Sequence, residues 1–342
     1  MGLKLEEREL IKKFILESVE KHPNDIVLYV SRYFSTSRQT IHKYLKRFLQ
    51  EGILEVEGKT RNVKYKLKTT EHIFNLTITP SLHEDQVWSV HVVPNLPKLK
   101  KNVYDICNYA FSEMMNNIID HSDSNSARIV MSYDAVQIHF LLIDFGIGIF
   151  KKIQKYLNLD NPKHSILELA KGKFTTDSAN HSGEGIYFTS RVCDDFDILS
   201  QNIYFHGEQG RDWLSDEKSF TEGTVVFMDI NRESNKTNKE IFDAYAPSEN
   251  DYGFSKTKIP VRLLKHEGEE LVSRSQAKRL VVRFDRFKEV VLDFEGVKTI
   301  GQGFADELFR VFVEHHPEVI LTWINTSKEI DRAIVHVLAN KK

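Results

Sequence analysis

The most constraining feature of the sequence is a stripe of polar side chains on one face of a long, mostly apolar helix. Glu113, Asn117 and His121 recur at positions i, i+4 and i+8. Because residues four apart lie above one another on a helix, these side chains share one face, while Ile118 and Ile119 turn toward a core. The stripe predicts either a polar site beside the core or an ordinary surface pair of Glu113 and Asn117. His121 is expected to serve as a structural hydrogen-bonding residue at the end of the helix.

Glycine-rich turns follow the helix at three places where strands or helices begin or end. A buried strand ends in D-x-G-x-G, a G-x-G pair precedes a second helix, and G-T follows a polar stretch before the last strand. In chain order these residues are Asp144, Gly146, Gly148, Gly183, Gly185, Gly223 and Thr224. A lone D-x-G-x-G motif is common in turns, so only the combination of this motif with the polar stripe and the other glycine turns indicates a binding site.

Each piece has a chemical role if the ligand is a nucleotide held by magnesium. The Asn117 carbonyl is a hard oxygen ligand suited to Mg²⁺, and Glu113, one turn away, can activate a water near a γ-phosphate. Asp144 can accept a hydrogen bond from an exocyclic amine, which would select adenine. Glycines allow the backbone to approach a flat base, and a glycine turn before a helix suits phosphate.

The ordered set resembles the Bergerat-fold ATP-binding domain, the family of gyrase, Hsp90, histidine kinases, MutL and the anti-sigma-factor kinases. The resemblance spans about 130 residues and implies ATP and Mg²⁺ as cofactors. It implies that Glu113 is the water-activating carboxylate, Asn117 the Mg²⁺ ligand and Asp144 the adenine-binding aspartate. The remaining nucleotide contacts that it implies are Gly146, Gly148, Gly183, Gly185 and Thr224, and it makes residues 172–184 an ATP lid.

The chain departs from the gyrase and MutL branches in one respect that bears on catalysis. Those branches have a catalytic lysine in an appended domain, and the sequence offers no readable counterpart. Lys171 and Lys173 flank the lid, but the sequence does not say where they point. We therefore expect at most a slow ATPase, or a protein kinase of this class.

The first 70 residues carry a second pattern, in which three amphipathic helices precede a hairpin. This order resembles a winged helix-turn-helix. Residues 1–68 hold 15 Lys and Arg against 9 Asp and Glu, in a chain whose overall charge is −2. A basic terminal module predicts a polyanionic partner, here DNA, with a protein-contact module as the alternative. The predicted DNA-contacting residues are Arg38, Gln39, His42, Lys43, Lys46, Arg47, Lys59 and Arg61.

The C-terminal segment alternates strands and helices, which argues for a small layered sheet. The stretch VVLDFEGVKTIGQGFADELFRVF resembles the core of STAS domains, the anti-sigma-factor-antagonist fold. Such antagonists are phosphorylated on a serine after this strand, whereas the turn at residues 300–304 contains no hydroxyl residue. A docking role is therefore expected, with a protein partner or with a second copy in a homodimer.

Together these patterns predict a multidomain α+β protein. The expected domains are a winged helix-turn-helix at 1–70, a Bergerat α/β sandwich at 71–235 and a STAS-like α/β domain at 256–342. Residues 69–100 are read as two strands, IFNLTI and VWSVHVV, leading into the long helix. The apolar stretch Val136–Phe145 is too short to span a bilayer, and the N-terminus lacks a secretory pattern. The two cysteines cannot form a disulfide framework. A cytoplasmic location without a membrane partner is therefore expected.

The expected function is a nucleotide-responsive transcription regulator that binds DNA through its N-terminal module. A serine/threonine protein kinase of the anti-sigma type, acting on a separate protein, is the alternative. A third possibility is a partner-binding module that uses ATP only as a folded cofactor.

Overall fold

The protein is a mixed α/β chain arranged around three sheets. The computed structural model describes residues 5–59, 62–175, 183–208, 211–216, 222–246, 254–265 and 270–339. Within these ranges, no helix combines the length and the apolar character that crossing a bilayer requires.

The N-terminal region packs three helices against a two-stranded antiparallel sheet. Its elements are α1 (Leu5–Ser18), α2 (Ile26–Tyr33), α3 (Arg38–Gln50), β1 (Leu54–Glu57) and β2 (Lys64–Leu67). Ser37 caps α3 by accepting a hydrogen bond from the Thr40 amide at 3.2 Å, and Gly52 ends the helix with a φ of +66°. Ile41, Leu45 and Phe48 recur at helical spacing and are buried, which fixes the opposite face of α3 in solvent.

The middle region is an antiparallel sheet of seven described strands, in the order β3-β4-β5-β9-β6-β7-β8. The strands are β3 (Thr70–Thr77), β4 (Ser126–Tyr133), β5 (Gln137–Asp144), β6 (Asp195–Ser200), β7 (Ile203–Glu208), β8 (Arg211–Asp216) and β9 (Val225–Asn231). The helices are α4 (Glu84–Val87), α5 (Lys101–His121), α6 (Ile149–Leu157), α7 (His164–Lys171), α8 (Gly185–Val192) and α9 (Asn238–Asp243). In β5, buried and half-buried residues alternate strictly, so only one face of this strand enters the core.

One predicted strand is wrong, because the segment VWSVHVV is helical. A π-helical turn (Trp88–Val92) and a 3₁₀ turn (Val93–Asn95) continue α4. Val87, Trp88 and Val92 are buried, whereas Val90 is 63% exposed. Alternation would have placed Trp88, Val90 and Val92 on one face, and the observed burial follows helical spacing instead. The β-branched valines favoured the strand interpretation, and packing against α5 decided against it.

The C-terminal region is a three-stranded parallel sheet, in the order β10-β11-β12, with helices between the strands. The strands are β10 (Lys256–Pro260), β11 (Glu289–Asp293) and β12 (Ile320–Ile324). The helices are α10 (Arg274–Val281), α11 (Gln302–Asp306), a π-helical turn (Glu307–Phe312) leading into α12 (Val313–His315), and α13 (Lys328–Ala339). Ser273 begins α10 with a capping box to Gln276, and Ser327 caps α13 as expected.

The buried apolar residues form two clusters. One cluster lies within residues 11–67 and touches the β4–β5 turn at Ala135 and Val136. The other contains described residues from both the middle and the C-terminal regions, between Val87 and Val337. The two regions therefore share one core.

Candidate functional site

A cavity of about 300 Å³ opens beside α5 and receives most of the polar residues singled out in the sequence. This volume is at the lower end of the range for small-molecule sites. Of the predicted nucleotide contacts, its lining includes Glu113, Asn117, Asp144, Gly148, Gly183, Gly185 and Thr224, together with His121. These residues come from one helix, one strand end and three turns that are far apart in the chain.

Asp144 forms the floor of the cavity at the C-terminal end of α5. Its side chain is only 4% exposed, and its Oδ1 accepts a hydrogen bond from the Gly146 amide at 2.9 Å. Burial raises the pKa of the Asp144 carboxyl, and hydrogen bonds from Gly146 and Thr224 oppose part of that rise. The Thr224 carbonyl also accepts the Asp144 amide at 3.0 Å, so backbone and side chain are both fixed.

The glycines at this end are required by close packing. A Cβ on Gly146 would overlap the Ser122 carbonyl, and a Cβ on Gly223 would overlap the Asp144 carbonyl. Gly148 has a φ of +84° and faces Ser200 and Gly223. Gly146 is therefore a supporting residue that orients Asp144 and is not part of the cavity lining.

Glu113 and Gly185 meet at the other end of the cavity. A Cβ on Gly185 would overlap Oε2 of Glu113, so the carboxylate sits directly against the first residue of α8. Gly183 has a φ of +73°, and its carbonyl accepts the Phe174 amide at 3.0 Å. A half-buried carboxylate and a glycine turn at a helix N-terminus thus face the same space.

The two ends are separated along α5 by a length that suits an extended ligand. Glu113 and His121 are eight residues apart, which corresponds to about 12 Å of helix rise. Asn117 lies between them on the same face, half-buried, with its Nδ2 3.9 Å from Met114 Sδ. The cavity can therefore hold a flat group near Asp144 and a distant polar group near Glu113, with the Asn117 amide between.

Lys152 lines the cavity although it was not among the predicted contacts, and Phe174 and Thr175, which belong to the predicted lid, line it as well. The Lys152 ammonium donates to the His121 carbonyl at 2.6 Å and pairs with Asp123 at 3.1 Å. Lys152 follows Ile149 by three residues and precedes Ile153, which also lines the cavity. The helical spacing of these residues on α6 could therefore have indicated that Lys152 lies beside the cavity.

Lys171 and Lys173, whose direction the sequence left open, do not line the cavity. Lys171 is fully buried and donates to Glu168 Oε1 at 2.6 Å. Lys173 Nζ donates to the Arg286 carbonyl at 3.0 Å. Of the predicted lid, residues 176–182 lie outside the described residues.

The N-terminal region exposes a row of predicted DNA contacts on one face of α3. All six predicted residues of this helix are exposed: Arg38, Gln39, His42, Lys43, Lys46 and Arg47. Arg47 donates to Glu51 Oε1 at 2.7 Å, so part of its charge is already compensated. Lys59 is exposed as well, and Arg61 lies outside the described residues.

The comparisons with known proteins concern the C-terminal region. A family model described as a STAS-like domain of unknown function (DUF4325) matches residues 276–331. The C-terminal region contains a STAS-like domain. The match runs from α10 through β11 and β12 into α13, and it includes the turn at 300–304. No curated protein matches the chain.

Proposed function

We propose that the chain binds ATP with Mg²⁺ in the cavity beside α5. The observation that carries this proposal is the convergence of Glu113, Asn117 and Asp144 on one cavity with the glycine turns. In this proposal Asp144 accepts from the adenine amine, and the Asn117 carbonyl binds Mg²⁺. Thr224 lies beside the adenine, while the N-terminus of α8 faces the phosphates.

The same proposal gives the middle region the Bergerat fold. An antiparallel sheet with α5 and α8 packed on one face, and the cavity between helix and sheet, is compatible with that fold. Neither Lys171 nor Lys173 lines the cavity, so the proposal assigns a catalytic role to neither. Tight binding with slow turnover is the expected behaviour.

Calorimetric titration of the full chain with ATP, ADP and GTP, with and without Mg²⁺, tests the proposal. We expect ATP to bind more tightly with Mg²⁺ and GTP to bind at least tenfold more weakly, about 1.4 kcal/mol. ATP should also raise the melting temperature by mass action. Absence of binding heat and of a thermal shift with adenine nucleotides would refute the proposal.

We further propose that the N-terminal region is a winged helix-turn-helix that binds DNA. Its support is the exposed face of α3, which carries Lys43, Lys46 and Arg47 beside the polar residues Gln39 and His42. Lysine and arginine at these positions would contact phosphates, while residues near the helix N-terminus would reach base edges. Binding to DNA fragments at several salt concentrations measures this directly, because phosphate contacts make affinity fall steeply with salt.

The combined function is a regulator whose DNA binding responds to nucleotide. The support is packing: the β4–β5 turn contacts the N-terminal core, and the middle and C-terminal regions share one core. DNA affinity measured with no nucleotide, with ADP and with a non-hydrolysable ATP analogue should differ between the states. Equal affinities in all three states would exclude this coupling and leave nucleotide binding standing.

A protein kinase of the anti-sigma type remains the second candidate, and the position of Glu113 favours it over a pure binding module. Its carboxylate lies in the cavity against the turn that would face the γ-phosphate. Transfer of labelled γ-phosphate to a separate protein would support the kinase, whereas release as free phosphate would support a slow ATPase. Glu113→Gln should abolish either turnover and retain ATP binding.

A further inference from the structure

A buried charged network joins the wall of the nucleotide cavity to the STAS-like region. Arg283 lies just after α10, and its side chain is 8% exposed. Its guanidinium donates to Glu168 Oε2 at 2.8 Å and to the Gly172 carbonyl at 2.7 Å, and it also donates to the Lys173 carbonyl. One planar side chain therefore holds both α7 and the segment that follows it.

The residues that Arg283 holds lead directly into the cavity. Residues 172–175, here called the wall segment, end in Phe174 and Thr175, and both line the cavity. The Arg283 guanidinium lies 5.3 Å from the centroid of the Phe174 ring. The Phe174 amide binds the Gly183 carbonyl, so a shift of the wall segment would also move the glycine turn before α8.

A second set of contacts fixes the same segment from the C-terminal side. Lys171 Nζ donates to the carbonyls of Arg279 and Val282, at 3.2 and 3.0 Å, and its own carbonyl accepts from Thr257 Oγ1 at 2.7 Å. Gly172 has a φ of +79°, and a Cβ there would lie 2.6 Å from the Phe254 ring. The wall segment therefore has little room to move while the STAS-like region stays docked.

We propose that Arg283 is a positioning residue for the nucleotide cavity and that the STAS-like region thereby completes the site at its phosphate end. This inference rests on the proposed nucleotide binding. The wall segment bonds to Gly183 through the Phe174 amide, and Gly185, two residues later, packs against Glu113. Loosening the wall segment should weaken contacts with the outer phosphates and leave the adenine contacts intact.

The test compares Arg283→Met and Arg283→Lys in the full chain, with Arg274→Met as the matched control. Arg274 lies on α10 of the same region, pairs with Asp306 at 2.8 Å and has a side chain that is 62% exposed. Arg283→Lys keeps a positive charge beside Glu168 but cannot supply the planar fork that bonds a carboxylate and two carbonyls together. If Arg283→Met does not fold, the comparison of Arg283→Lys with the Arg274→Met control decides the test.

We expect Mg²⁺-ATP affinity to fall about tenfold in both Arg283 variants, while ADP affinity changes less than about twofold. Hydrogen exchange in peptides covering residues 172–175 should accelerate in both variants and stay unchanged in Arg274→Met. Equal losses for ATP and ADP, or wild-type affinities for both, would overturn the role of Arg283 while nucleotide binding stands. If the wild-type chain itself binds neither nucleotide, the proposed function fails instead.

Discussion

Replacing Asp144 by Asn gives the sharpest test of the adenine site, because the change alters one atom at a buried position. The Asn carbonyl can still accept from the Gly146 amide, as Oδ1 does at 2.9 Å. The second oxygen becomes an NH₂ group, which would meet the adenine amine donor to donor. Losing a hydrogen bond to a charged acceptor costs about 1.5–3 kcal/mol. We therefore expect ATP affinity to fall by roughly 10- to 150-fold.

The structure also predicts what Asp144→Asn does to the protein without ligand. Burial raises the pKa of this carboxyl, which means that the folded state disfavours its charge. Removing the charge should therefore leave the melting temperature unchanged or slightly higher, so a binding defect would not reflect unfolding. Calorimetric titration with ATP and GTP, together with a thermal melt of the free protein, measures both quantities.

Asp293 provides a matched control for this experiment. It also ends a strand, is 4% exposed and accepts the amide two residues later, that of Glu295, at 3.0 Å. It pairs with Lys258 and lies in the STAS-like region, away from the cavity. Asp293→Asn should cost stability and leave ATP affinity unchanged. An Asp144→Asn protein that folds and binds ATP as tightly as wild type would refute the assignment of Asp144.

Other perturbations address the metal, the helix packing, the DNA surface and the sheet. Asn117→Ala should remove most of the Mg²⁺ dependence of ATP binding, measured by titration with and without Mg²⁺; an unchanged dependence would refute its role as ligand. Gly185→Ala should slow ATP turnover, measured as phosphate release, because its Cβ would displace the Glu113 carboxylate; it should retain ATP binding, as Glu113→Gln does. Lys43→Ala should reduce the slope of log affinity for DNA against log salt by about 0.9, whereas exposed Lys101→Ala should not. Burial lowers the pKa of His139, but hydrogen bonds to Asp134 and Asp229 outweigh it and raise the pKa to about 9. This stabilisation is complete below pH 6.5 and is lost as pH rises through 9. The free energy of unfolding of His139→Gln, measured with urea, should therefore be lower than that of the wild type by about 1 kcal/mol at pH 6, after allowance for partial exposure. At pH 10 the difference should be smaller.

The residues that line the polar cavity stand out in the sequence because they obey local rules. The spacing of Glu113, Asn117 and His121 defines a helix face whatever surrounds it. The glycine turns next to Asp144 and before α8 can be recognised from the sequence as short glycine motifs. Helix capping by Ser37 and Ser327 follows from the residue type, because serine side chains accept from free helix amides. These features need no knowledge of the tertiary structure.

Features that depend on tertiary contacts could not be predicted in the same way. The segment around Trp88 was taken for a strand because its valines favour strands, and packing against α5 made it helical. The burial of Lys171 follows from Arg279 and Val282, more than 100 residues later in the chain. The contact of Phe174 with Arg283 likewise joins distant segments, and no local pattern signals it.

The network around Arg283 bears on regulation because coupling between two sites is reciprocal. Glu168, Lys171 and Arg283 are nearly or fully buried charges, and taking such ions out of water costs several kcal/mol each, which their mutual attraction and hydrogen bonds must offset. Such a network is therefore held in one geometry, which the wall segment shares. If a partner that binds the STAS-like region displaced Arg283, the affinity of the chain for ATP would fall by the coupling factor between the two sites. ATP would then weaken the binding of that partner by the same factor, so nucleotide and partner would compete without touching the same residues.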